Sequence, residues 1–413
     1  MPNKFRIAVR KFDPFETFIQ KVWQSFCIDS GCKLELEAIP MDLHPLYEST
    51  LGEQNGLQNG DWDVGLISTD WISEAQKHQK IINLNLFLEE NPPDDFPHGW
   101  PQALLGMQNF NDQIYGLPFH DGPECLIYRK DLFENENEKL AFKKVYGREL
   151  APPRTWDESL EVAHFFQRPE EGLYGTVLAA FPDGHNTVFD LCLQIWARGG
   201  EIINDDGNVN VDTKIAEEGL AYYRKLSKDK NAIHPESSMM DSVKSGMAFA
   251  RGEVAFMVNW FGFAAMCEVD EISKVKGCVD IIPVPAGKNG KGVSLNVYWM
   301  YTIGAGSKNK KVAYDFIRFA VNAQNDKLLT LEGGIGCRKS TWNDKEINIS
   351  VPYYHKLNFL HNNSYTLPRK AHWVEIAVVI DEIVMSVMSP DQSIKKILEN
   401  GQIKIKAIEE KHA

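Results

Sequence analysis

The segment DQIYGLPFHDGPECLIYRKDLF, residues 112–133, constrains the fold of this chain more than any other stretch. An apolar run stops at Pro118, a short polar bend follows, and a second strand-like run begins at Cys125. Proline lacks a backbone donor and glycine permits positive φ, so one central strand would not hold both Pro118 and the Gly122-Pro123 pair. The pattern therefore predicts a chain that leaves one layer and enters another, where ligand clefts lie. An ordinary surface loop between two strands is the alternative.

Two later stretches interrupt the chain in a similar way. Residues 281–285, IIPVP, join an apolar strand to prolines, and residues 333–336, GGIG, follow a helical stretch. Three interruptions predict three crossings. We therefore expect the chain to visit one lobe, then a second, and then each of them again.

The N-terminal part alternates strand and helix patterns. Residues 7–9, 33–38 and 62–67 are typical of strands, and residues 15–26 place apolar side chains at helical spacing after Asp13, the expected N-cap. This β-α-β-α-β rhythm predicts a parallel, doubly wound α/β sheet. Ligands bind beyond the carboxyl ends of such strands, so Asp70 and Trp71, which follow the third strand, are candidate lining residues.

Length and charge limit the function. The 413 residues suffice for two or three domains, and the net charge of -13 argues against a nucleic-acid binder and against docking on an anionic membrane. The sequence contains no apolar stretch of about 20 residues, the length that spans a bilayer. The chain also starts without a signal peptide, so we expect either a cytoplasmic protein or one whose leader has been removed.

The seven cysteines show no CxxC and no zinc-binding spacing. We expect mostly reduced thiols, although Cys267 and Cys278 could pair. No metal site and no cofactor are predicted.

Catalytic motifs are missing from the sequence. There is no GxSxG, HExxH or GxxxxGK[ST] pattern, and the glycine-rich residues 287–292 are typical of a hairpin loop. His120 beside Asp121 could form an acid–base pair, but a polar pair that shapes a turn or holds a ligand is the favoured interpretation. A glycosidase-like pair of carboxylates stays open, because the sequence does not identify two that meet.

Aromatic residues at predicted strand ends give the clearest functional signal. Trp71, Trp260, Tyr298 and Trp299 each fall near a strand end or a break, where a ring can stack on the apolar face of a pyranose. Core packing is the alternative for each one singly. Polar side chains that could bind sugar hydroxyls accompany them or lie at the other breaks: Asp70, Asp121, Asn259 and Arg338.

Short motifs along almost the whole chain resemble one known family, the extracellular solute-binding proteins of ABC importers, in the sugar-binding group (family 1) related to maltose-binding protein. The matching motifs are DV at 63–64 leading to Trp71, IYGLP at 114–118, YRKDLF at 128–133, PPRTWD at 152–157, WARGGE at 196–201, FARGEVAFM at 249–257, PVPAG at 283–287 and GAGSKN at 304–309. Each is weak alone, but their order and spacing are specific.

The resemblance implies the two-lobed type II periplasmic-binding-protein fold, an α/β fold. Each lobe would hold a mainly parallel sheet flanked by helices, with a hinge of crossing segments. The expected lobes are residues 1–118 with 283–328, and residues 119–282 with 329–413, the second including the C-terminal helices. The third crossing would lie near residues 329–334.

The same resemblance implies positions that touch sugar. These are His120 and Asp121 after the Leu-Pro pair, Trp260 after the Phe-Met strand, Trp299, and Arg338 after the third crossing. Together with the positions named above, the candidate ligand-binding residues are Phe12, Asp70, Trp71, His120, Asp121, His185, Asn259, Trp260, Tyr298, Trp299, Arg338 and Arg369. None of them is predicted to be catalytic.

The sequence therefore predicts the substrate-binding component of an ABC-type carbohydrate importer. It would bind a sugar or oligosaccharide in the inter-lobe cleft by hinge closure and deliver it to the permease transmembrane subunits. The protein would be a monomer, periplasmic or extracellular, with or without a lipid anchor, and not an enzyme. Seven cysteines are more than we expect of an exported member.

Two other functions stay open from the sequence. One is a glycoside-active enzyme on the same two-lobed scaffold. The other is a receptor for a polyamine or a phosphorylated polyol, in which Arg338, Arg369 or a helix N-terminus would hold a phosphate.

Overall fold

The computed structural model describes residues 4–389 and 392–412. Its strands are β1 (Lys4–Arg10), β2 (Glu35–Met41), β3 (Val64–Ser68), β4 (Asn109–Phe110), β5 (Gln113–Ile114), β6 (Leu117–His120), β7 (Glu124–Arg129), β8 (Phe256–Trp260), β9 (Val279–Ile282), β10 (Ser294–Leu295), β11 (Trp299–Ile303) and β12 (Ser364–Tyr365).

Its α-helices are α1 (Asp13–Ser30), α2 (Leu43–Thr50), α3 (Gly56–Asn59), α4 (Ile72–Lys77), α5 (Asn85–Glu90), α6 (Lys130–Glu134), α7 (Glu136–Tyr146), α8 (Trp156–Phe166), α9 (Asn186–Trp196), α10 (Lys214–Ser227), α11 (Ser242–Ala250), α12 (Phe261–Val269), α13 (Lys310–Ala320), α14 (Ala323–Leu331), α15 (Lys339–Trp342), α16 (Lys345–Ser350), α17 (Leu357–Asn362), α18 (Trp373–Met388) and α19 (Ile394–His412). Short 3-10 turns cover Gln102–Leu104, Pro169–Glu171, Ser237–Met239 and Tyr354–Lys356. In the part of the chain that is described, no helix is long and apolar enough to cross a membrane.

The chain divides into two compact units. Unit 1 contains the described residues of Met1–Gly122, Val297–His355 and Arg369–Ala371, and unit 2 contains those of Pro123–Asn296, Lys356–Pro368 and His372–Ala413. The first change of unit, after Gly122, falls inside residues 112–133, the segment that predicts a crossing between layers.

The later boundaries differ from the sequence-based division. The second lies at residue 296 rather than 282, because Val284 pairs with Val293 and β10 pairs with β12, both within unit 2. The third lies at residue 355 rather than 328. There the buried Asp326 carboxylate accepts the backbone N–H groups of Cys337 and Arg338 and keeps α15 in unit 1. Such long-range contacts leave no local mark in the sequence.

Unit 1 is built on a five-stranded sheet with the order β2-β1-β3-β11-β6. The pairs β1–β2 and β1–β3 are parallel, as the β-α-β-α-β rhythm predicts, whereas β11 is antiparallel to both β3 and β6. Strand β3 is buried along its whole length, since helices cover both faces of such a sheet.

Helix α1 confirms one sequence prediction and corrects another. Its predicted apolar face is buried, from Phe15 to Phe26. The N-cap, however, is Phe12, with extended backbone angles, and Asp13 is already the first helical residue. Asp13 therefore favours the helix through its charge near the positive end of the helix dipole and does not cap it.

Unit 2 carries a three-stranded sheet with the order β8-β7-β9, in which β7 is antiparallel to both neighbours. The prediction of a mainly parallel sheet is wrong for these strands. The chain enters unit 2 along β7 and runs back beside it along β9, so adjacent segments point in opposite directions. Parallel pairing in the described part of unit 2 is limited to the short pair β10–β12 and to isolated bridges, such as Tyr174 with Val254.

Helices surround the sheet of unit 2. Helix α8 begins with the predicted capping box, in which the Thr155 hydroxyl accepts the Glu158 N–H and the Glu158 carboxylate accepts the Thr155 N–H. Helix α18 buries its predicted face, including Trp373, Ile376 and Ile380. Helix α18 packs against α9, which His185 precedes, and the other two candidate residues of this unit, Asn259 and Trp260, lie in β8.

Candidate functional site

In unit 1 several strand ends meet at one edge of the sheet. Trp299, the first residue of β11, pairs with Ser68 at the end of β3 and with His120 at the end of β6. Because β1 is parallel to β3, the segment that follows β1 reaches the same edge, and this segment contains Phe12. We call Phe12, Trp71, His120 and Trp299 the aromatic edge.

Two tryptophans of the aromatic edge contact each other but differ in burial. The rings of Trp71 and Trp299 lie perpendicular, with their centroids 5.8 Å apart. Trp71 is only 1 % exposed and also packs edge-on against Tyr47, whereas Trp299 is half-buried. Trp71 thus supports Trp299, and Trp299 stays partly accessible at this edge of the sheet.

His120 is fixed by its neighbours and is held in the neutral form. Its ring packs against Phe15 at 4.7 Å, and its Nδ1 accepts the Ile335 N–H at 2.9 Å. The Asp121 N–H donates to the Ile335 carbonyl at 3.0 Å. Burial lowers the pKa of His120 to about 4, against the opposing charge of Asp121. With Nδ1 accepting, the ring proton lies on Nε2, so the geometry favours a positioning or donor role over acid–base chemistry.

Tyr298 supports the aromatic edge from the core. It is buried, and its hydroxyl hydrogen-bonds to Gln108 Oε1 at 2.6 Å and to the Leu104 carbonyl at 2.8 Å. Its backbone exchanges hydrogen bonds with Thr69, next to Asp70. The side chain is therefore committed to packing, while the backbone bonds with Thr69 hold the segment that leads to Asp70 and Trp71.

The guanidinium groups of the two candidate arginines of unit 1 contact other residues of the protein. Arg338 is buried, with its guanidinium 4.2 Å from the centre of the Trp100 ring and its Nη atoms donating to the carbonyls of Val321 and Asp94. Arg369 lies 4.0 Å from the centre of the Phe110 ring and donates to a backbone carbonyl.

In unit 2 the candidate residues Trp260 and His185 pack on the same phenylalanine. Phe189 of α9 meets the Trp260 ring at 5.6 Å and the His185 ring at 5.3 Å, both nearly perpendicular. Trp260 ends β8 opposite Glu124 and is half-buried. His185 precedes α9, and its N–H donates to Asp183.

Asn259 has a structural role beside Trp260. Its side-chain amide donates to the Ser242 carbonyl at 3.0 Å and to Ser245 Oγ at 3.1 Å, and its Oδ1 accepts the Trp260 N–H at 2.8 Å. Since Asn259 is buried, these bonds orient Trp260 and occupy both ends of the amide.

Sequence reasoning missed a buried acidic pair in unit 2. Glu124 and Asp190 line a cavity of ≈ 30 Å³ together with Trp156. Glu124 is 5 % exposed, and among the described residues its Oε2 has no hydrogen-bond partner. Burial, then the charge of Asp190, raises the pKa of Glu124 well above its ordinary value. Burial also raises the pKa of Asp190 to about 7, against the Tyr223 hydroxyl that donates to it at 2.8 Å.

A sequence signal for this pair does exist. Glu124 opens the apolar run ECLIY, and Asp190 lies inside the apolar helix sequence NTVFDLCLQIW. An acidic residue in a stretch that is otherwise buried has to be neutral or partnered. The described residues contain no group of three or more His, Cys, Asp or Glu side chains that could hold a metal ion.

Nine candidate residues lie in unit 1 and three, His185, Asn259 and Trp260, lie in unit 2. In unit 1 the structure brings together the residues of the aromatic edge with Asp70 and Asp121, while Arg338 and Arg369 contact other segments of that unit.

A family model and a known relative both match most of the sequence. A sequence model described as bacterial extracellular solute-binding protein matches residues 46–327, more than half of the chain. A relative from Deinococcus radiodurans, a probable ABC transporter-binding protein, is 24% identical over 321 residues, which cover 76% of this chain and 72% of the relative.

Solved structures share the fold. A maltose-bound Thermotoga maritima protein, MalE3, is 22% identical with a TM-score of 0.84 and covers 98% of this chain and 99% of its own. A solute-binding protein of an ABC transporter from Agrobacterium radiobacter K84, in complex with ribitol, is also 22% identical, with a TM-score of 0.85 and coverage of 99% and 100%. The α/β architecture is therefore the two-lobed one that the sequence predicts.

Proposed function

Because the chain belongs to the family of bacterial extracellular solute-binding proteins, we propose that it is the substrate-binding component of an ABC-type carbohydrate importer. The observation that carries the proposal is the aromatic edge of unit 1, where Trp299 is half-buried at the carboxyl ends of β3 and β6. Parallel α/β sheets bind ligands at that end of their strands.

The proposed mode of binding combines stacking with hydroxyl recognition. The apolar face of a sugar ring would stack on Trp299, and the carboxylates of Asp70 and Asp121 would accept hydroxyl hydrogens. His120, whose Nδ1 is occupied, would donate through Nε2. Trp260 would provide the second stacking surface, from unit 2.

Hinge closure, which the sequence resemblance implies, would make binding and shape interdependent. A ligand stabilises the form with which it makes more contacts, so a sugar that touches both units favours closure. The closed form would dock on the permease transmembrane subunits, which are the proposed partners. The family's extracellular character supports an exported location on the periplasmic or outer side of the membrane.

A neutral polyhydroxylated solute is favoured over a phosphorylated one. Arg338 and Arg369, which could have bound a phosphate, both donate to backbone carbonyls of unit 1. Among the structural relatives one is bound to maltose and another to ribitol, so ring-shaped sugars and linear polyols are the two classes to compare. We favour the ring, because a flat apolar sugar face matches an indole ring.

Isothermal titration calorimetry with mono- and oligosaccharides and with linear polyols tests the proposal. We expect one class of sugar to bind, and we expect Trp260→Ala to weaken its binding by about 2 kcal/mol, or roughly 30-fold, as for other truncated aromatic anchors. Phe359→Ala, at an exposed aromatic of α17, is the matched control and should bind like the wild type.

Two results would contradict the proposal. One is the absence of binding heat for every sugar while a polyamine or a polyol phosphate binds. The other is a sugar affinity that stays the same in the Trp260→Ala variant. Turnover of an oligosaccharide that one Asp→Asn change abolishes would instead support the enzyme alternative.

A further inference from the structure

The C-terminal end of α1 brings two cysteines close together. Cys27 lies in the last turn of the helix, and Gly31 follows with a φ of 70° and donates its N–H to the Cys27 carbonyl at 3.0 Å. This left-handed residue turns the chain back toward the helix end. Cys32 is the next residue.

Further hydrogen bonds hold the turn. The Cys32 N–H donates to Ser30 Oγ at 3.3 Å, and Ser30 Oγ donates to the Phe26 carbonyl at 2.6 Å. Cys27 and Cys32 therefore lie on either side of one tight turn, and the Cys32 thiol is near enough to contribute to the raised pKa of the Cys27 thiol. Both are half-buried, and their neighbour Ile28 is 86 % exposed, so small reagents can reach them.

The other cysteines of the chain have a different environment. Cys125, Cys192, Cys267 and Cys337 are buried, where thiols act as small apolar groups. Cys278 is half-buried in unit 2, and the charged side chains near it are Asp131, Arg129, Glu268 and Lys130. All seven cysteines are free thiols in this structure.

We propose that Cys27 and Cys32 form a reversible intrachain disulfide, which makes the end of α1 a redox-sensitive modification site. The turn at Gly31 supplies the proximity, and the exposure of the helix end supplies the access. The proposal stands apart from sugar binding, because neither residue belongs to the aromatic edge or to the candidate residues of unit 2.

The oxidant is a small-molecule disulfide such as oxidised glutathione. One protein thiolate attacks a sulfur of the oxidant, which forms a mixed disulfide and releases one glutathione thiol. The second protein thiolate then attacks the protein sulfur of that mixed disulfide and releases the second glutathione thiol. The two protein thiols lose two hydrogens, and the oxidant becomes two thiols.

The environment predicts how the reaction depends on pH. Burial, followed by the neighbouring Cys32, raises the pKa of the Cys27 thiol. Less Cys27 is therefore thiolate at neutral pH than for an ordinary cysteine, and the bond should form faster as the pH rises. An oxidising compartment outside the cytoplasm, where extracellular solute-binding proteins reside, would maintain the disulfide.

Peptide mapping tests the proposal. The whole protein is incubated with oxidised glutathione at about pH 8, where thiolates are available, free thiols are alkylated, and the chain is cut by a protease that cleaves before aspartate. Asp29 lies between the two cysteines, so the cut separates them unless a disulfide joins their peptides. We expect the joined pair, which a reductant then splits.

Two variants are the controls. Cys278→Ser removes a cysteine of similar exposure from unit 2 and should keep the joined peptides. Cys32→Ser should leave Cys27 as a glutathione mixed disulfide or as an alkylated thiol. If the wild-type protein also yields Cys27 and Cys32 only in these unlinked forms, the proposal is wrong.

Thermal unfolding gives a second readout. A disulfide restricts the unfolded chain, so oxidised wild-type and Cys278→Ser proteins should unfold at a higher temperature than their reduced forms. Cys32→Ser should show no such difference. A shift of the same size in Cys32→Ser would contradict the assignment to this pair.

Discussion

At the scale of single residues, the two neighbouring tryptophans of the aromatic edge differ in burial and in their expected roles. Trp71 is 1 % exposed and holds Trp299 through a perpendicular contact. Trp299 is half-buried, and its backbone joins β3 and β6. The sequence does not record burial, and burial separates Trp71, which supports the aromatic edge, from Trp299, which is proposed to touch the ligand.

This division predicts different outcomes for the same substitution. Trp299→Ala should weaken sugar binding in calorimetry with a small change in thermal stability. Trp71→Ala should lower the free energy of unfolding by about 3–5 kcal/mol, because it leaves a large cavity in the core. Equal losses of affinity and stability in both variants would contradict the assignment.

The buried acidic pair predicts a dependence of stability on pH. Asp190 has a folded-state pKa of about 7, raised by burial above the ordinary aspartate value of 3.8. The folded protein therefore holds a proton that the unfolded chain releases, so stability falls as the pH rises from about 4 to about 7 and then levels off. In chemical denaturation, the Asp190→Asn variant should lose this fall in the unfolding free energy of unit 2 between about pH 4 and about pH 7.

The control for that experiment is Asp205→Asn, in the exposed turn of unit 2, which should leave the profile unchanged. If the unfolding free energy of Asp190→Asn still falls with pH as in the wild type, another group causes the pH dependence. Glu124 is such a group, because burial also raises its pKa.

At the scale of elements, local patterns were predictable and pairings were not. The apolar face of α1 and the capping box of α8 follow from spacing alone and are confirmed. The antiparallel sheet β8-β7-β9 and the position of β11 between β3 and β6 depend on contacts between distant segments. The contacts of Arg338 with Trp100 and Val321 likewise join distant segments, so the sequence could not reveal them, and a role of Arg338 in ligand binding stays a prediction.

One close approach between elements depends on a glycine. A Cβ atom at Gly175 would lie 2.0 Å from the backbone oxygen of Ala163 in α8. Gly175→Ala should therefore force the helix away from the neighbouring segment and cost about 1–3 kcal/mol of stability, measured by chemical denaturation. Gly106→Ala is the control, because its nearest neighbour would be at an ordinary 3.7 Å and its cost should be small.

At the scale of the whole molecule, the protein has a net charge of -13 while the proposed solute is neutral, and this contrast predicts how affinity depends on salt. Salt screens interactions between charges over about 10 Å at 0.1 M ionic strength but hardly affects a neutral ligand. Sugar affinity should therefore be nearly the same in low and high salt when measured by calorimetry. A ligand whose affinity falls steeply with salt would indicate a cation, and with it the polyamine alternative.

The position of β11 in the sheet of unit 1 has a consequence for the order in which the chain is made. Strand β6 joins that sheet only through β11, and β11 spans Trp299–Ile303. During synthesis from the N-terminus, β1, β2 and β3 leave the ribosome early, but β6 has to wait until all of Pro123–Asn296 has been translated. Unit 2 can thus begin to fold while unit 1 is still an open sheet with an exposed edge at β3, and a translational pause before residue 303 would prolong that exposure.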